Sequence, residues 1–262
     1  MASGFSYDFP HRSLMSVGAL NPVDVRLIFE RAEAHFDRNR TDTKTLDTLS
    51  GLVVVNLFFE NSTRTLASFE IAAKRLGAEV MNFAAGSASI SKGESLADTA
   101  LNLNAMRPDV LVVRHRAPGA AAYFEAVTGA SILNGGDGAH EHPTQALLDA
   151  FTLTRHWGEV GGKRICIVGD ILHSRVARSN VSLLNLLNAE VRLCGPATLL
   201  PADADRWGVR TFHDLDEALD GCDAVMALRM QKERMAGGLI PSDREYAALY
   251  GLNHDRLERA DP

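Results

Sequence analysis

Short apolar runs alternate with amphipathic segments along most of the chain, and this alternation is the strongest constraint on its fold. The runs "LVVVNLFF" (52–59) and "DVLVVRH" (109–115) predict strands that are buried on both faces. The segment "TLASFEIAAKRLG" (65–77) predicts a helix, because its apolar residues recur at helical spacing and Gly77 suits a helix C-terminus. Nearly continuous apolar strands separated by helices are typical of parallel sheets covered on both faces.

The remaining segments continue the pattern. Further strands are predicted at 79–83, 131–134, 164–170, 190–195 and 223–229, and further helices at 95–106, 120–127, 143–158, 175–188 and 215–221. A length of 262 residues suits two domains. We therefore predict an α/β protein of two doubly wound domains, 1–142 and 143–262, each with a parallel sheet flanked by helices. The long helix that starts at Pro143 is the candidate hinge.

Composition narrows the classes of function. The formal net charge of -6 argues against nucleic-acid binding by the whole molecule, although a local cationic site could still bind an anionic substrate. The three cysteines form no C-x-x-C motif and lie in apolar runs, which predicts buried thiols in a reducing compartment. The N-terminus has no signal-peptide apolar core, and no apolar run is long enough to span a membrane. A cytoplasmic protein is expected.

The stretch "FFENSTRTLASFE" (58–70) joins the first predicted strand to the following helix. Ligands of open parallel sheets bind at the carboxyl ends of strands, where a helix start offers N–H groups and a positive dipole end. The hydroxyls of Ser62 and Thr63 could cap the helix or donate to an anion, and the fork of Arg64 matches phosphate oxygens. The sequence therefore suggests a phosphate site. A plain Ser/Thr cap beside a surface arginine is the alternative.

Other polar clusters also follow predicted strands. Arg114 and His115 end one strand, "HEHPTQ" (140–145) precedes the long helix, and "RMQKER" (229–234) follows the last strand. Neither G-x-G-x-x-G nor a P-loop is present at the predicted strand–helix turns. Coincident clusters at several strand ends favour a shared anion site over isolated structural side chains.

Four stretches together resemble the aspartate branch of the carbamoyltransferase family: "FFENSTRTLASFE", "SKGESLADT", "GDGAHEHPTQALLDAFT" and "RMQKER". The S-T-R-T and H-P-x-Q motifs mark the family, and "TLASFE" and "RMQKER" point to the aspartate carbamoyltransferase catalytic chain. The Ser-Met-Gly type motif expected of the ornithine branch is not found. The resemblance implies carbamoyl transfer from carbamoyl phosphate to L-aspartate, giving N-carbamoyl-L-aspartate and phosphate, in de novo pyrimidine synthesis.

The resemblance also implies roles for individual residues. The carbamoyl phosphate site would comprise Ser62, Thr63, Arg64, Thr65, Arg114, His142 and Gln145. Of these, Arg64, Thr65, Arg114 and His142 would be catalytic, since preorganised donors can stabilise the oxyanion and the leaving phosphate. Aspartate would be held by Arg175, Arg229 and Gln231, whose arginines can each bind one carboxylate bidentately. Lys92, with Ser89 favoured over Ser91, would reach a neighbouring subunit's site.

No metal or other cofactor is expected. The implied assembly is a homotrimer with shared active sites, alone or in a larger assembly with regulatory chains or another pyrimidine-pathway enzyme. Family chains would continue beyond "RLERADP" with a His-Pro-rich loop and helices that return to the first domain. Either the sequence as given omits this tail or the product is truncated. For the second case, a non-catalytic, carbamoyltransferase-like ligand-binding or assembly subunit is the second hypothesis.

A metal-dependent hydrolase is the third hypothesis, because His140 and His142 form an H-x-H motif. Such enzymes need further ligands on later strands of an eight-unit barrel. His173 and His213 are not predicted at strand ends, which disfavours this interpretation.

Overall fold

The computed structural model describes residues 9–84, 95–232, 235, 238–240 and 242–260. The chain divides into two compact units, Met1–Asp137 and Gly138–Pro262. This division falls a few residues before the boundary predicted at 142/143. No helix in the described ranges combines the length and apolar character needed to cross a membrane.

The first unit is a four-stranded parallel sheet with strand order β2-β1-β3-β4. Its elements are α1 (Pro22–Arg38), β1 (Val53–Phe58), α2 (Thr63–Arg75), β2 (Glu79–Ala84), α3 (Leu96–Met106), β3 (Val110–His115), α4 (Ala120–Thr128) and β4 (Ser131–Asp137). Alternate residues of β1 point to opposite faces. Leu57 lies in a core with Phe124 of α4, whereas Val54 and Phe58 lie in a second core with Ala73 of α2. Both faces of this sheet are thus covered, as predicted.

The second unit is another four-stranded parallel sheet, with order β7-β6-β5-β8. Its elements are α5 (Pro143–Trp157), β5 (Arg164–Val168), α6 (Arg175–Leu186), β6 (Glu190–Cys194), β7 (Arg210–Phe212), α7 (Leu215–Leu219), β8 (Ala224–Ala227), α8 (Asp243–Tyr250) and α9 (His254–Leu257). Ile165 and Ile167 pack on one face, while Cys166, Cys194 and Cys222 share a core on the other. All three thiols are free and buried, as predicted.

The predicted fold class is confirmed, but several element limits differ. The strand predicted at 164–170 ends at Val168 because Gly169 has a φ of 131°, outside strand geometry. A Cβ on Gly169 would lie 2.9 Å from the Leu228 carbonyl oxygen, so only glycine fits there. The short strand β7 places His213 directly after its last residue, Phe212. The prediction that His213 lies away from strand ends was wrong. A strand of three residues is too short to show the alternation of apolar and polar residues by which strands are recognised in a sequence.

Candidate active site

The phosphate-site candidate lies between β1 and α2, at the predicted strand–helix junction. Ser62 is the N-cap residue of α2, but its side chain makes no capping hydrogen bond. The alternative of a plain serine cap is therefore not found at Ser62. Thr63 and Arg64 are exposed in the first helical turn, while Thr65 is half-buried. When the N-cap side chain does not bond to the N–H groups of the first helical turn, those groups are available to bind an anion.

Arg114, near the end of β3, is brought to the same junction. Its Nη1 donates to the Thr65 hydroxyl oxygen at 3.4 Å and to the Gly135 carbonyl oxygen at 3.1 Å. Its Nε lies 3.5 Å from a carboxylate oxygen of Glu60. The guanidinium is half-buried and held from three directions. Sequence reasoning predicted that Arg114 and Thr65 converge, but it missed Glu60 and Gly135 as positioning groups.

His142 opens α5 in the second unit and is almost completely buried. Its backbone N–H donates to the Ser179 hydroxyl oxygen at 2.8 Å, and that hydroxyl donates to the Glu141 carboxylate. The Thr144 hydroxyl lies 3.4 Å from the imidazole Nδ1. Ser179 belongs to α6, so this network ties the beginning of α5 to α6. Sequence analysis included Glu141 only as part of the "HEHPTQ" cluster and did not identify Ser179.

Gln145 lies one turn further along α5. Its Nε2 donates to Asp149 Oδ1 at 2.9 Å, and Asp149 Oδ2 accepts from Asn180 Nδ2 of α6, also at 2.9 Å. Burial raises the pKa of Asp149, and the hydrogen bonds from Asn180 and Gln145 partly offset this rise. Sequence analysis did not select Asp149, although its i,i+4 spacing from Gln145 could have revealed this pair.

The candidate aspartate residues lie after β5 and β8. Arg229 and Gln231 contact each other directly, with Nη2 of Arg229 donating to Gln231 Oε1 at 3.1 Å. Gln231 is fixed through its backbone N–H, which donates to Asp170 Oδ2 at 3.0 Å. Arg175 is buried at the first position of α6, next to the capping residue Ser174.

Asp170, two residues after the end of β5, organises this part of the second unit. It is fully buried, and its Oδ1 lies 2.8 Å from Nδ1 of His173. Burial, together with the charge of Asp170, raises the pKa of Tyr246 to about 12. His173 is thus engaged with a carboxylate. Sequence analysis did not select Asp170 as a site residue, although it is the last residue of the strand predicted at 164–170.

Two predicted residues, Lys92 and Ser89, lie outside the described residues. Among the residues that are described, no group of three or more His, Cys, Asp or Glu side chains could hold a metal ion. The H-x-H motif of His140 and His142 thus lacks further ligands within the described part of the chain.

Comparisons with known proteins agree with this architecture. A family model described as aspartate/ornithine carbamoyltransferase, carbamoyl-P binding domain, matches residues 12–155. The aspartate carbamoyltransferase catalytic subunit of Maricaulis maris is 66% identical over 258 residues, covering 98% of this chain and 81% of that protein. The corresponding subunit of Caulobacter sp. strain K31 is 54% identical, covering 98% and 76% respectively.

Solved structures lead to the same family. Aspartate transcarbamoylase from Trypanosoma cruzi, in complex with carbamoyl phosphate and aspartate, aligns with a TM-score of 0.83 and 32% identity, covering 97% of this chain and 85% of that one. Ornithine carbamoyltransferase from Pyrococcus furiosus aligns with a TM-score of 0.84 at 23% identity, covering 98% and 83%, and this likeness supports the fold alone. On the family model and the identity to these relatives, the chain belongs to the aspartate/ornithine carbamoyltransferase family.

Proposed function

We propose that the chain catalyses carbamoyl transfer from carbamoyl phosphate to L-aspartate, giving N-carbamoyl-L-aspartate and phosphate, as a step of de novo pyrimidine biosynthesis. The names of its close relatives support the aspartate branch. The T. cruzi relative was solved with both substrates and, separately, with carbamoyl aspartate and phosphate.

The observation that carries the proposal is the pair formed by Arg114, near the end of β3, and Thr65, in the first turn of α2. Arg114 is pre-oriented by Glu60 and Gly135, so its guanidinium need not reorganise when charge develops on a bound carbonyl oxygen. The Thr65 hydroxyl accepts from Arg114, which leaves its own hydrogen to donate. Arg114 and Thr65 thus provide two hydrogen-bond donors close together, which can stabilise an oxyanion.

The other proposed contacts to carbamoyl phosphate come from residues at helix starts. Ser62, Thr63 and Arg64 bind the phosphate through hydroxyls, first-turn N–H groups and a guanidinium fork. His142 and Gln145 bind the carbamoyl group. As the leaving phosphate gains charge, Arg64 neutralises part of it.

In the second unit, the proposed aspartate site consists of Arg175, Arg229 and Gln231. The direct Arg229–Gln231 contact and the Asp170 hydrogen bond to the Gln231 backbone support a pre-formed carboxylate site. Each arginine can bind one carboxylate of the dicarboxylic substrate.

The proposed reaction needs no nucleophile from the protein. The unprotonated amine of aspartate attacks the carbamoyl carbon, a C–N bond forms, and the bond from that carbon to the phosphate oxygen breaks. The amine proton leaves with the phosphate or passes to solvent. Orientation of two small anions is the main contribution of the protein, together with oxyanion stabilisation.

We further propose a cytoplasmic homotrimer in which Lys92 and Ser89 contribute to the site of the adjacent subunit, alone or in a larger assembly with regulatory chains or another pyrimidine-pathway enzyme. The polar "SASISKGES" stretch and the family membership support the shared site. The buried free thiols support a reducing compartment.

The deciding experiment measures carbamoyl aspartate formation by the purified chain at saturating carbamoyl phosphate and aspartate, with ornithine as the control acceptor. We expect turnover with aspartate and none above background with ornithine. Binding of carbamoyl phosphate without turnover would instead favour a non-catalytic ligand-binding or assembly subunit.

A further inference from the structure

Asp149 joins α5 to α6 beside Gln145 and is not among the residues expected to touch substrate. We propose that Asp149 is a positioning residue that fixes the Gln145 side-chain amide so that its Oε1 faces the ligand. This orientation makes the site selective for a carbamoyl group over an acyl group that lacks the amino group. This inference rests on the proposed function, in which Gln145 binds the carbamoyl group.

The orientation of Asn180 is set first. Its Nδ2 donates to the Val176 carbonyl oxygen at 3.0 Å and to Asp149 Oδ2 at 2.9 Å. A backbone carbonyl can only accept, so the nitrogen of this amide must face Val176 and Asp149. Asn180 is fully buried and has little freedom to turn. It therefore holds Asp149 Oδ2 as an acceptor.

The orientation of Gln145 follows from that of Asp149. Gln145 Nε2 donates to Asp149 Oδ1 at 2.9 Å, with that carboxylate oxygen as the acceptor. Nε2 is thereby committed to Asp149, and Oε1 is the acceptor that Gln145 offers to a ligand. Without any hydrogen-bonding side chain at position 149, both orientations of the Gln145 amide would be open.

The chemical consequence concerns the amino group of the substrate. A carbamoyl group carries an NH₂ that donates, whereas an acetyl group carries a methyl that neither donates nor accepts. Oε1 of Gln145 can accept a hydrogen bond from the carbamoyl NH₂. If Nε2 faced the ligand instead, the Gln145 amide nitrogen and the carbamoyl nitrogen would both be donors, and no hydrogen bond would form between them. A site built to pair with an N–H group rejects an analogue that lacks it, because the pairing group is left unsatisfied.

The test compares binding of carbamoyl phosphate and acetyl phosphate to the whole chain, measured by ligand-induced thermal stabilisation over a concentration series. In Asp149→Asn, Asn180 still requires an acceptor, so the new amide turns its nitrogen towards Gln145 and reverses that side chain. We expect carbamoyl phosphate to bind about tenfold more weakly, the scale of one lost hydrogen bond. Acetyl phosphate affinity should stay within about twofold, since its methyl makes no such bond.

Two controls separate positioning from general damage. Asp223→Asn alters another carboxylate of this unit that accepts from two nitrogens, those of Lys163 and Arg164, and should leave the affinity ratio unchanged. In a Gln145→Ala background, Asp149→Asn should not change the ratio further, because Asp149 acts through Gln145.

Equal loss of both ligands in Asp149→Asn, or a further change in the Gln145→Ala background, would overturn the inference. Because these measurements need no turnover, they are independent of the transfer assay. A chain that binds carbamoyl phosphate but forms no carbamoyl aspartate refutes the proposed function, while the affinity ratio still decides the role of Asp149.

Discussion

Arg114 illustrates how much of the site is decided by single side chains. The carboxyl ends of neighbouring parallel strands meet at one edge, so the sequence could predict that Arg114 approaches Thr65. It could not predict the Glu60 and Gly135 contacts that orient the guanidinium. Those depend on where a loop side chain and a β4 carbonyl lie in space, which no local pattern specifies.

The same limit applies to the helical positioning residues. Gln145 and Asp149 share a helix face, and their pairing is readable from an i,i+4 spacing. The contacts of Ser179 with Glu141 and the His142 backbone instead depend on how α5 packs on α6. For Ser62, the sequence left capping and anion binding open, and the side chain does not cap the helix.

Replacement of Arg64 by alanine removes a charge-assisted fork from the proposed phosphate site. We expect a fall in kcat/KM on the order of 10² to 10³, by analogy with the loss of one preorganised donor. Lys74→Ala is the matched control, because Lys74 is an exposed cation near the other end of α2 and forms a surface ion pair with Glu70. A steady-state assay that finds Arg64→Ala as active as Lys74→Ala would contradict the phosphate role.

Replacement of Arg229 by alanine should discriminate between the two substrates. Arg229 contacts Gln231 in the second unit, and both are proposed to bind aspartate. The KM for aspartate should rise by about tenfold or more, the scale of a lost hydrogen bond to a charged group, while carbamoyl phosphate affinity changes little. Initial rates measured against each substrate in turn provide the check. Equal weakening of both would show that Arg229 has no special role in aspartate binding.

At the scale of elements, the buried strands were the most predictable feature. Apolar runs located β1, β3 and β6 to within one or two residues, because a strand covered on both faces consists almost entirely of apolar residues. Helix α1 was not predicted, because it buries only Asp24 and Val25. Its capping box, Asn21 with Asp24, was the available signal. At an exposed edge, β7 is too short to show alternation.

Asp223 links the starts of β5 and β8 and supplies a test of stability against pH. Burial alone would raise its pKa, but the Arg164 backbone N–H and the Lys163 ammonium outweigh burial and hold the pKa below the usual range. A pKa that is lower in the folded than in the unfolded state stabilises the fold above the ordinary Asp pKa of about 3.9. That contribution disappears as the pH falls through the folded-state value.

Asp223→Asn should therefore lower the free energy of unfolding at neutral pH by about 0.5 to 1 kcal/mol, because Asp223 and Lys163 are partly exposed and solvent screens their interaction. The gap between variant and wild type should close below about pH 4. Denaturant unfolding at a series of pH values measures this directly. A gap that stays constant into the acid range would show that the carboxylate charge contributes nothing and that only shape matters at Asp223.

At the scale of the whole molecule, the proposed sharing of active sites predicts complementation between inactive chains. Lys92→Ala and Arg64→Ala each remove one cation, but in a shared site the two cations come from different subunits. Trimers that mix the two variants should contain some sites with both residues intact and regain part of the activity. A closed three-fold ring provides such head-to-tail contacts.

The measurement is carbamoyl aspartate formation after the two variant chains are mixed and allowed to exchange. Mixed trimers should be demonstrated separately, for example by a charge tag on one variant. Activity that stays at the parental level in proven mixed trimers would mean that Lys92 serves its own chain or no site.

The strand orders have a further consequence, for the order in which the protein folds during synthesis. All four strands of the first sheet precede Gly138, so that sheet can be completed before the second unit has been made. In the second unit, β5 pairs with both β6 and β8, and β8 lies late in the sequence. The interior strand β5 therefore leaves the ribosome well before β8, one of its two neighbours. One edge of β5 stays unpaired until β8 (Ala224–Ala227) has been synthesised. Chaperone binding to nascent chains should accordingly be strongest between the synthesis of β5 and that of β8.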